Sequence, residues 1–308
     1  MGLATREAYG NALLKLGVTN KDVVVLDADL SKSTKTADFG AAHPERFINV
    51  GIAEQNLMGV AAGLASYGKI PFASTFAVFA TGRAFEIIRN SICYSNLNVK
   101  IAATHAGISV GEDGGSHQSI EDIALMNSLP NMSVIVPADA HETEEVIKYA
   151  ATHDGPVYIR LGRLAAVDLF DESYTYQYGK GVQLVEGDDV AIFATGLMTS
   201  EAKKAAEILK ADGISARVVH IPTIKPIDRT IIEQAARECK FIVTAEEHSV
   251  IGGLGSVVAD VVTENFPTKV VKIGLNDVFG ESGTPTELLE KYGMTAANVV
   301  RVVKENLS

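Results

Sequence analysis

The 308-residue chain reads as an α/β protein made of two parallel-sheet domains in series. Three observations predict this class. Short runs of β-branched and other apolar residues, such as DVVVLDA at 22–28, have the near-continuous hydrophobicity of strands buried on both faces. Stretches of helical length separate most of these runs. The alternation then restarts after a poorly periodic segment at 164–188 that contains Tyr174, Tyr176 and Tyr178. The expected organisation is a first domain over 1–165, a linker over 166–188 and a second domain over 189–308.

Taken in order, residues 5–16 are patterned as a helix, with Thr5 the expected N-cap and Gly17 the expected stop. Arg6 then falls in the first turn, where a cation opposes the helix dipole. That suits either a solvated side chain or a ligand for an anion. Strands are expected at 22–28, 47–50, 70–73, 99–103, 133–136 and 157–161, and helices at 54–67, 77–93, 119–128 and 140–152. The carboxyl ends of these strands lead into Asp29, Ser74-Thr75, His105 and Arg163. In an open α/β sheet that edge is where ligands bind. The helix at 54–67 is apolar on nearly every side and is expected to be buried. Glu54 stands in its first turn, as a cap or as a carboxylate able to exchange a proton with a ligand.

In the second half, strands are expected at 189–194, 216–221 and 241–245, with helices at 199–212 and 228–238. Gly252-Gly253-Leu254-Gly255 opens a further helix. It half-matches the dinucleotide fingerprint, but Val258 replaces the third small residue, so a tight helix start is the better reading. Glu246-Glu247-His248 is the main polar cluster of this half.

Net charge is −11 and the pI is near 5.1, which argues against a generic binder of nucleic acid or anionic membranes. A phosphorylated small molecule remains compatible, because a few local arginines suffice for one. Cys93 and Cys239 form neither a disulfide framework nor a zinc site. Arg6 and Glu7 interrupt any signal peptide, and no apolar run is long enough to span a bilayer. A soluble, cytoplasmic protein is expected.

The densest chemistry lies at 104–118, THAGISVGEDGGSHQ, with two histidines, the Glu112–Asp113 pair and four glycines in fifteen residues. Glycines let backbone approach a ligand, and a polar loop on a strand end is where sites are usually built.

Three stretches in this order, NVGIAEQ at 49–55, STFAVF at 74–79 and the 104–118 loop, resemble the pyrimidine-binding domain of transketolases. These are thiamine-diphosphate enzymes that move a two-carbon ketol unit. The C-terminal half resembles the family's last domain. The implied fold is a thiamine-diphosphate pyrimidine-binding domain followed by a Rossmann-like transketolase C-terminal domain. The resemblance implies that Glu54 hydrogen-bonds the cofactor's aminopyrimidine, that Phe76 and Phe79 hold its ring, and that Asp29 lies near the cofactor. It further implies that Arg6, Ser33, His105 and Arg163 grip a sugar phosphate. Asp113 and His117 would bind substrate hydroxyls, with Glu54, His105 and His117 taking part in proton transfer. Gln55, Gly82 and Ala106 depart from residues common in the family. The GIAEQ and STF pieces also resemble 1-deoxyxylulose-5-phosphate synthase, whereas VGEDG and Phe79 are similar to transketolase.

No Gly-Asp-Gly motif, the family's diphosphate and metal anchor, occurs in the chain. The resemblance therefore implies the C-terminal subunit of a split transketolase. Thiamine diphosphate and Mg²⁺ would be completed by ligands on a separate N-terminal subunit, in an assembly of two of each chain. The alternatives are a 2-oxoacid dehydrogenase β subunit and an inactive transketolase-like regulatory subunit.

Overall fold

The computed structural model describes residues 2–307. Its strands are β1 (Val23–Asp27), β2 (Phe47–Asn49), β3 (Ile70–Phe76), β4 (Lys100–Thr104), β5 (Ser133–Ile135), β6 (Val157–Arg160), β7 (Val182–Val185), β8 (Val190–Ala194), β9 (Ala216–His220), β10 (Thr223–Lys225), β11 (Ile242–Ser249) and β12 (Val270–Leu275). The α-helices are α1 (Thr5–Thr19), α2 (Ser31–Thr34), α3 (Ala37–Ala42), α4 (Glu54–Ser66), α5 (Phe85–Ile87), α6 (Asp122–Asn127), α7 (Ala140–Thr152), α8 (Met198–Ala211), α9 (Arg229–Glu238), α10 (Leu254–Asn265), α11 (Pro285–Lys291) and α12 (Ala296–Leu307).

The first sheet has the order β10-β5-β6-β4-β3-β1-β2 and the second β12-β11-β8-β9-β7. All pairings are parallel except β10 with β5 and β7 with β9. Every residue of β1, β4 and β6 is buried, as expected for strands covered on both faces. Among the described residues, no helix is long and apolar enough to cross a membrane.

Several local expectations are corrected by tertiary contacts. Gly17 does not stop α1, which runs on to Thr19. A Cβ there would lie 2.7 Å from Phe39, and the Gly17 carbonyl accepts a 2.8 Å bond from Arg46 Nη2, so this glycine serves packing. Helix α4 buries Leu57, Met58, Ala61 and Ala62 but exposes Gln55, Asn56, Gly59 and Gly63, because nothing in this chain covers that face. The helix expected at 77–93 is broken into a wide π turn over Phe79–Arg83, the short α5 and a second π stretch over Ile88–Cys93. Residues expected as linker include β7, a half-buried edge strand. The tyrosines before it are pinned to both domains: Tyr178 to Ser133 at 2.6 Å and Tyr176 to Thr223 at 2.6 Å.

The domains are interlocked. Immediately after β9, strand β10 leaves the second sheet and pairs with β5 on the edge of the first. Lys225 Nζ fastens it by donating to the carbonyls of Asn127 and Leu129 at 2.9 and 2.6 Å. One apolar cluster accordingly runs from Ile123, Met126 and Tyr158 to Phe193, Ile221 and Ile224. Burying that surface is what fixes the two sheets against each other.

Candidate functional site

The site lies at the carboxyl edge of the first sheet, where α1 begins against the end of β6. Thr5 is not the N-cap of α1; Ala4 takes that place. The Thr5 hydroxyl instead accepts the Gly162 N–H at 2.8 Å, tying the helix start to the residue before Arg163. Arg6 thereby reaches across the strand ends. Its Nη1 donates to the Ser33 carbonyl at 3.0 Å and to His105 Nε2 at 3.1 Å.

His105 is buried and held at φ 58°, a left-handed conformation uncommon for a side-chain-bearing residue. Arginine can only donate, so Nε2 is the acceptor and the ring proton sits on Nδ1, 2.9 Å from Thr104 Oγ1. Burial pushes the His105 pKa down to about 3, and Arg6, Arg163, His117 and Lys35 push in the same direction. At neutral pH the imidazole is uncharged. It stacks on Phe76 with ring centroids 3.8 Å apart.

Phe76 and Phe79 lie parallel at 5.8 Å, and His117 presents its edge to both, at 6.3 and 5.5 Å. These rings come from the end of β3, the π turn and the loop after β4. Their convergence is tertiary, not sequential. His117 Nδ1 is 2.9 Å from the Ser116 hydroxyl. Arg163 donates to the Val110 carbonyl at 2.5 Å and stands 3.5 and 3.8 Å from Glu112 and Asp113.

The Glu54 side chain is 2% exposed and pairs with Arg83 Nη1 at 2.8 Å. The same guanidinium sits over the Phe79 ring, 4.7 Å from its centroid. Arg83 is therefore a site residue that sequence reasoning missed. A signal existed, since Phe79 and Arg83 are four apart in a helical stretch and so share a face. The glycine between them, Gly82, masked it. Asp29 stands apart from this cluster: held at φ 64°, it exchanges bonds with Asn49 at 3.1 and 3.2 Å. Ser33 meets Arg6 through its carbonyl, not its hydroxyl.

Two tests bear on what the site can hold. A buried carboxylate beside parallel aromatic rings suits a flat nitrogen heterocycle with a ring N–H, and so fits the aminopyrimidine end of thiamine diphosphate. Among the described residues, no group of three or more His, Cys, Asp or Glu is arranged to hold a metal ion. The glycine run at 252–255 is not a nucleotide loop. The Glu246 carboxylate caps α10 by accepting Leu254 N at 2.7 Å and Gly255 N at 2.8 Å, and a Cβ on Gly253 would collide with that carboxylate.

These features define a two-sheet α/β protein with a carboxylate-and-aromatic cluster at the carboxyl edge of its first sheet. Residues 1–167 match the transketolase pyrimidine binding domain and residues 179–299 the transketolase C-terminal domain. The chain belongs to the transketolase family. It is 52% identical over 305 residues to a protein of Methanocaldococcus jannaschii described as a transketolase C-terminal section, covering 98% of this chain and 96% of that one. A 6-deoxy-6-sulfo-D-fructose transketolase subunit of a Clostridium species is 42% identical over 300 residues, 97% of this chain and 93% of that one. A solved structure described as a split-gene transketolase, inactive β4 tetramer, superposes with a TM-score of 0.91 at 60% identity, covering 100% of this chain and 99% of that chain.

Proposed function

We propose that this chain is the C-terminal subunit of a split transketolase, transferring a two-carbon ketol unit between sugar phosphates once a separate N-terminal subunit is bound. The observation that carries the reading is a cationic cluster beside the Phe76 and Phe79 rings, whose acidic neighbours, Glu112 and Asp113, are exposed and stand 3.5 and 3.8 Å from Arg163. Arg6, Arg163 and neutral His105 crowd together, and Arg6 Nε is buried without a partner. Arg163 also lowers the Arg6 pKa, after the larger effect of burial. Such a cluster costs free energy until a tetrahedral anion, a phosphate or sulfonate, enters it.

Thiamine diphosphate supplies the carbanion chemistry that protein side chains lack. In this reading Glu54 holds the proton at the pyrimidine ring nitrogen and must exchange Arg83 for the cofactor to do so. Phe76 and Phe79 clamp the ring, with Asp29 at the pocket's margin. Arg6, Arg163, His105 and the Ser33 segment orient the anionic end of the sugar, and Asp113 and His117 bind its hydroxyls. His105, uncharged at neutral pH, offers the sugar a hydrogen-bonding imidazole without adding to the cationic field, and its low pKa makes it a weak proton acceptor there. In this reading the partner chain would hold the diphosphate and Mg²⁺, in an assembly of two copies of each, in keeping with the lack of a Gly-Asp-Gly motif here.

The test is a ketol-transfer assay with thiamine diphosphate and Mg²⁺, run with this chain alone and with a co-encoded chain that carries Gly-Asp-Gly. Xylulose 5-phosphate and 6-deoxy-6-sulfofructose serve as donors and ribose 5-phosphate as acceptor. Transfer only in the mixture is expected. Turnover by this chain alone would overturn the split arrangement. Decarboxylation of a 2-oxoacid without ketol transfer would replace it with a dehydrogenase β subunit.

A further inference from the structure

The second domain carries none of the residues assigned to the site, yet it grips the site's loop from below. Ser109 N–H, in the 3-10 turn Ile108–Val110, donates to Glu247 Oε1 at 2.6 Å. Glu247 belongs to β11 of the second sheet and is 5% exposed. Its own carbonyl accepts Arg160 Nη2 at 2.9 Å, three residues before Arg163. The far end of the same 3-10 turn is where Arg163 Nη1 meets the Val110 carbonyl. One residue therefore touches both arms of the anion site, the β4 loop through its side chain and the end of β6 through its backbone.

The fit is close. Gly107 has φ 82°, and a Cβ there would run into the Glu247 carboxylate. A second anchor follows at the other end of the loop. Gln118 Nε2 donates to the Glu281 carbonyl at 2.9 Å, and a Cβ on Gly115 would lie 2.8 Å from the Gly280 carbonyl. Asp113 and His117 lie between these two anchors. A buried carboxylate is a poor choice for stability alone, because apolar replacements of buried ionic groups are often neutral or better. Its directional acceptor is what the Ser109 N–H needs.

We infer that Glu247 is a positioning residue: its carboxylate clamps the loop bearing His105, Asp113 and His117, so that the second domain sets how the substrate's hydroxyls are held. This rests on the functional reading above. Glu54, Phe76 and Phe79 lie on other segments and meet the clamped loop only through the rings of His105 and His117, so the clamp acts first on the sugar and only secondarily on the cofactor.

Glu247→Leu, Glu247→Gln and a control core variant of the second domain, Val258→Ala, are compared in the reconstituted complex. Glu247→Leu is expected to raise KM for the donor about tenfold and lower kcat, with a smaller change in the cofactor Kd. Glu247→Gln, which keeps an acceptor, stays within about threefold of wild type. Val258→Ala loses thermal stability but keeps both constants. Independently of any activity, amide exchange over 109–118 in the isolated chain speeds up about tenfold in Glu247→Leu and not in Val258→Ala. If Glu247→Leu does not fold, Glu247→Ala, which removes the acceptor without adding bulk or touching the loop backbone, is expected to give the same exchange signature. Unchanged exchange, or equal losses in Glu247→Leu and Val258→Ala, would overturn the clamp. A wild-type complex inactive with every donor, but with the exchange difference intact, would instead discard the ketol-transfer reading and leave the clamp standing.

Discussion

Two charged clusters meet at the end of β6, one in the residues beyond it and one within it, and they are opposites. Facing the cleft, Arg6, Arg163, His105 and His117 crowd like charges or potential charges together. Their acidic neighbours Glu112 and Asp113 are exposed and stand 3.5 and 3.8 Å from Arg163. Facing the second domain, Arg160 makes a fully buried two-pronged pair with Asp122 at 2.7 and 3.2 Å. Tyr158 adds a third bond to Asp122 at 2.7 Å. The interface cluster has each carboxylate matched to donors, which is the condition under which buried charge is tolerated. The cleft cluster has an orphaned Arg6 Nε and a histidine without an anionic partner. The lesson is that unmet electrostatic demand, rather than the presence of charge, separates a ligand site from a structural joint.

Substitutions in the two clusters are expected to fail in different ways. The largest effect is expected from Glu54→Gln, which keeps the shape of the pocket but removes the proton-holding carboxylate. Reconstituted turnover should fall at least ~10²-fold with little change in melting temperature, and retained turnover would remove Glu54 from the chemistry. Arg160→Met strikes the other cluster. It leaves Asp122 buried and unpaired and should cost roughly 3–5 kcal/mol of folding free energy by urea titration. A loss below about 1 kcal/mol would mean the interface pair is no joint.

His105→Gln distinguishes the clusters by pH. The folded-state pKa of His105 is about 3 against an ordinary value of 6.5, so the unfolded chain takes up that proton first. Stability from this group is intact above 6.5 and falls as pH drops toward 3. Between neutral pH and about pH 4.5, wild type should lose about 2 kcal/mol more than His105→Gln. Equal losses would show that the histidine is not held neutral. The smallest effect belongs to neither cluster. Lys15 pairs with Glu144 at 2.7 Å on the surface with 65% of its side chain exposed, and Lys15→Ala should shift stability by at most about 0.5 kcal/mol.

Of the candidate site, His105 and Arg163 were legible as residues at strand ends and Arg6 as a cation in a helix's first turn, whereas Phe76, Phe79 and His117 came only through the family resemblance. Arg6, His105, Phe76, Phe79, His117 and Arg163 were expected, and the structure places them in contact with one another or with the same loop. Asp29, expected near the cofactor, exchanges hydrogen bonds with Asn49. Arg83 was not expected, because a π turn, which local propensity does not signal, swings it onto Glu54 and Phe79. Glu246 and Glu247 were visible as a polar cluster, but not as a helix cap and a loop clamp.

The alternation of strands and helices, and the chemistry-bearing residues clustered where strands end, could be read from the amino-acid sequence alone. Each of these is written in spacing, periodicity or composition within a short window. Only the tertiary structure decided that β10 would cross to the first sheet, that one face of α4 would stay uncovered, and that Glu247 would reach Ser109. Those outcomes depend on which sheet edges remain open and which buried donors lack acceptors. Residues more than a hundred positions apart settle that together, and no local window contains both partners.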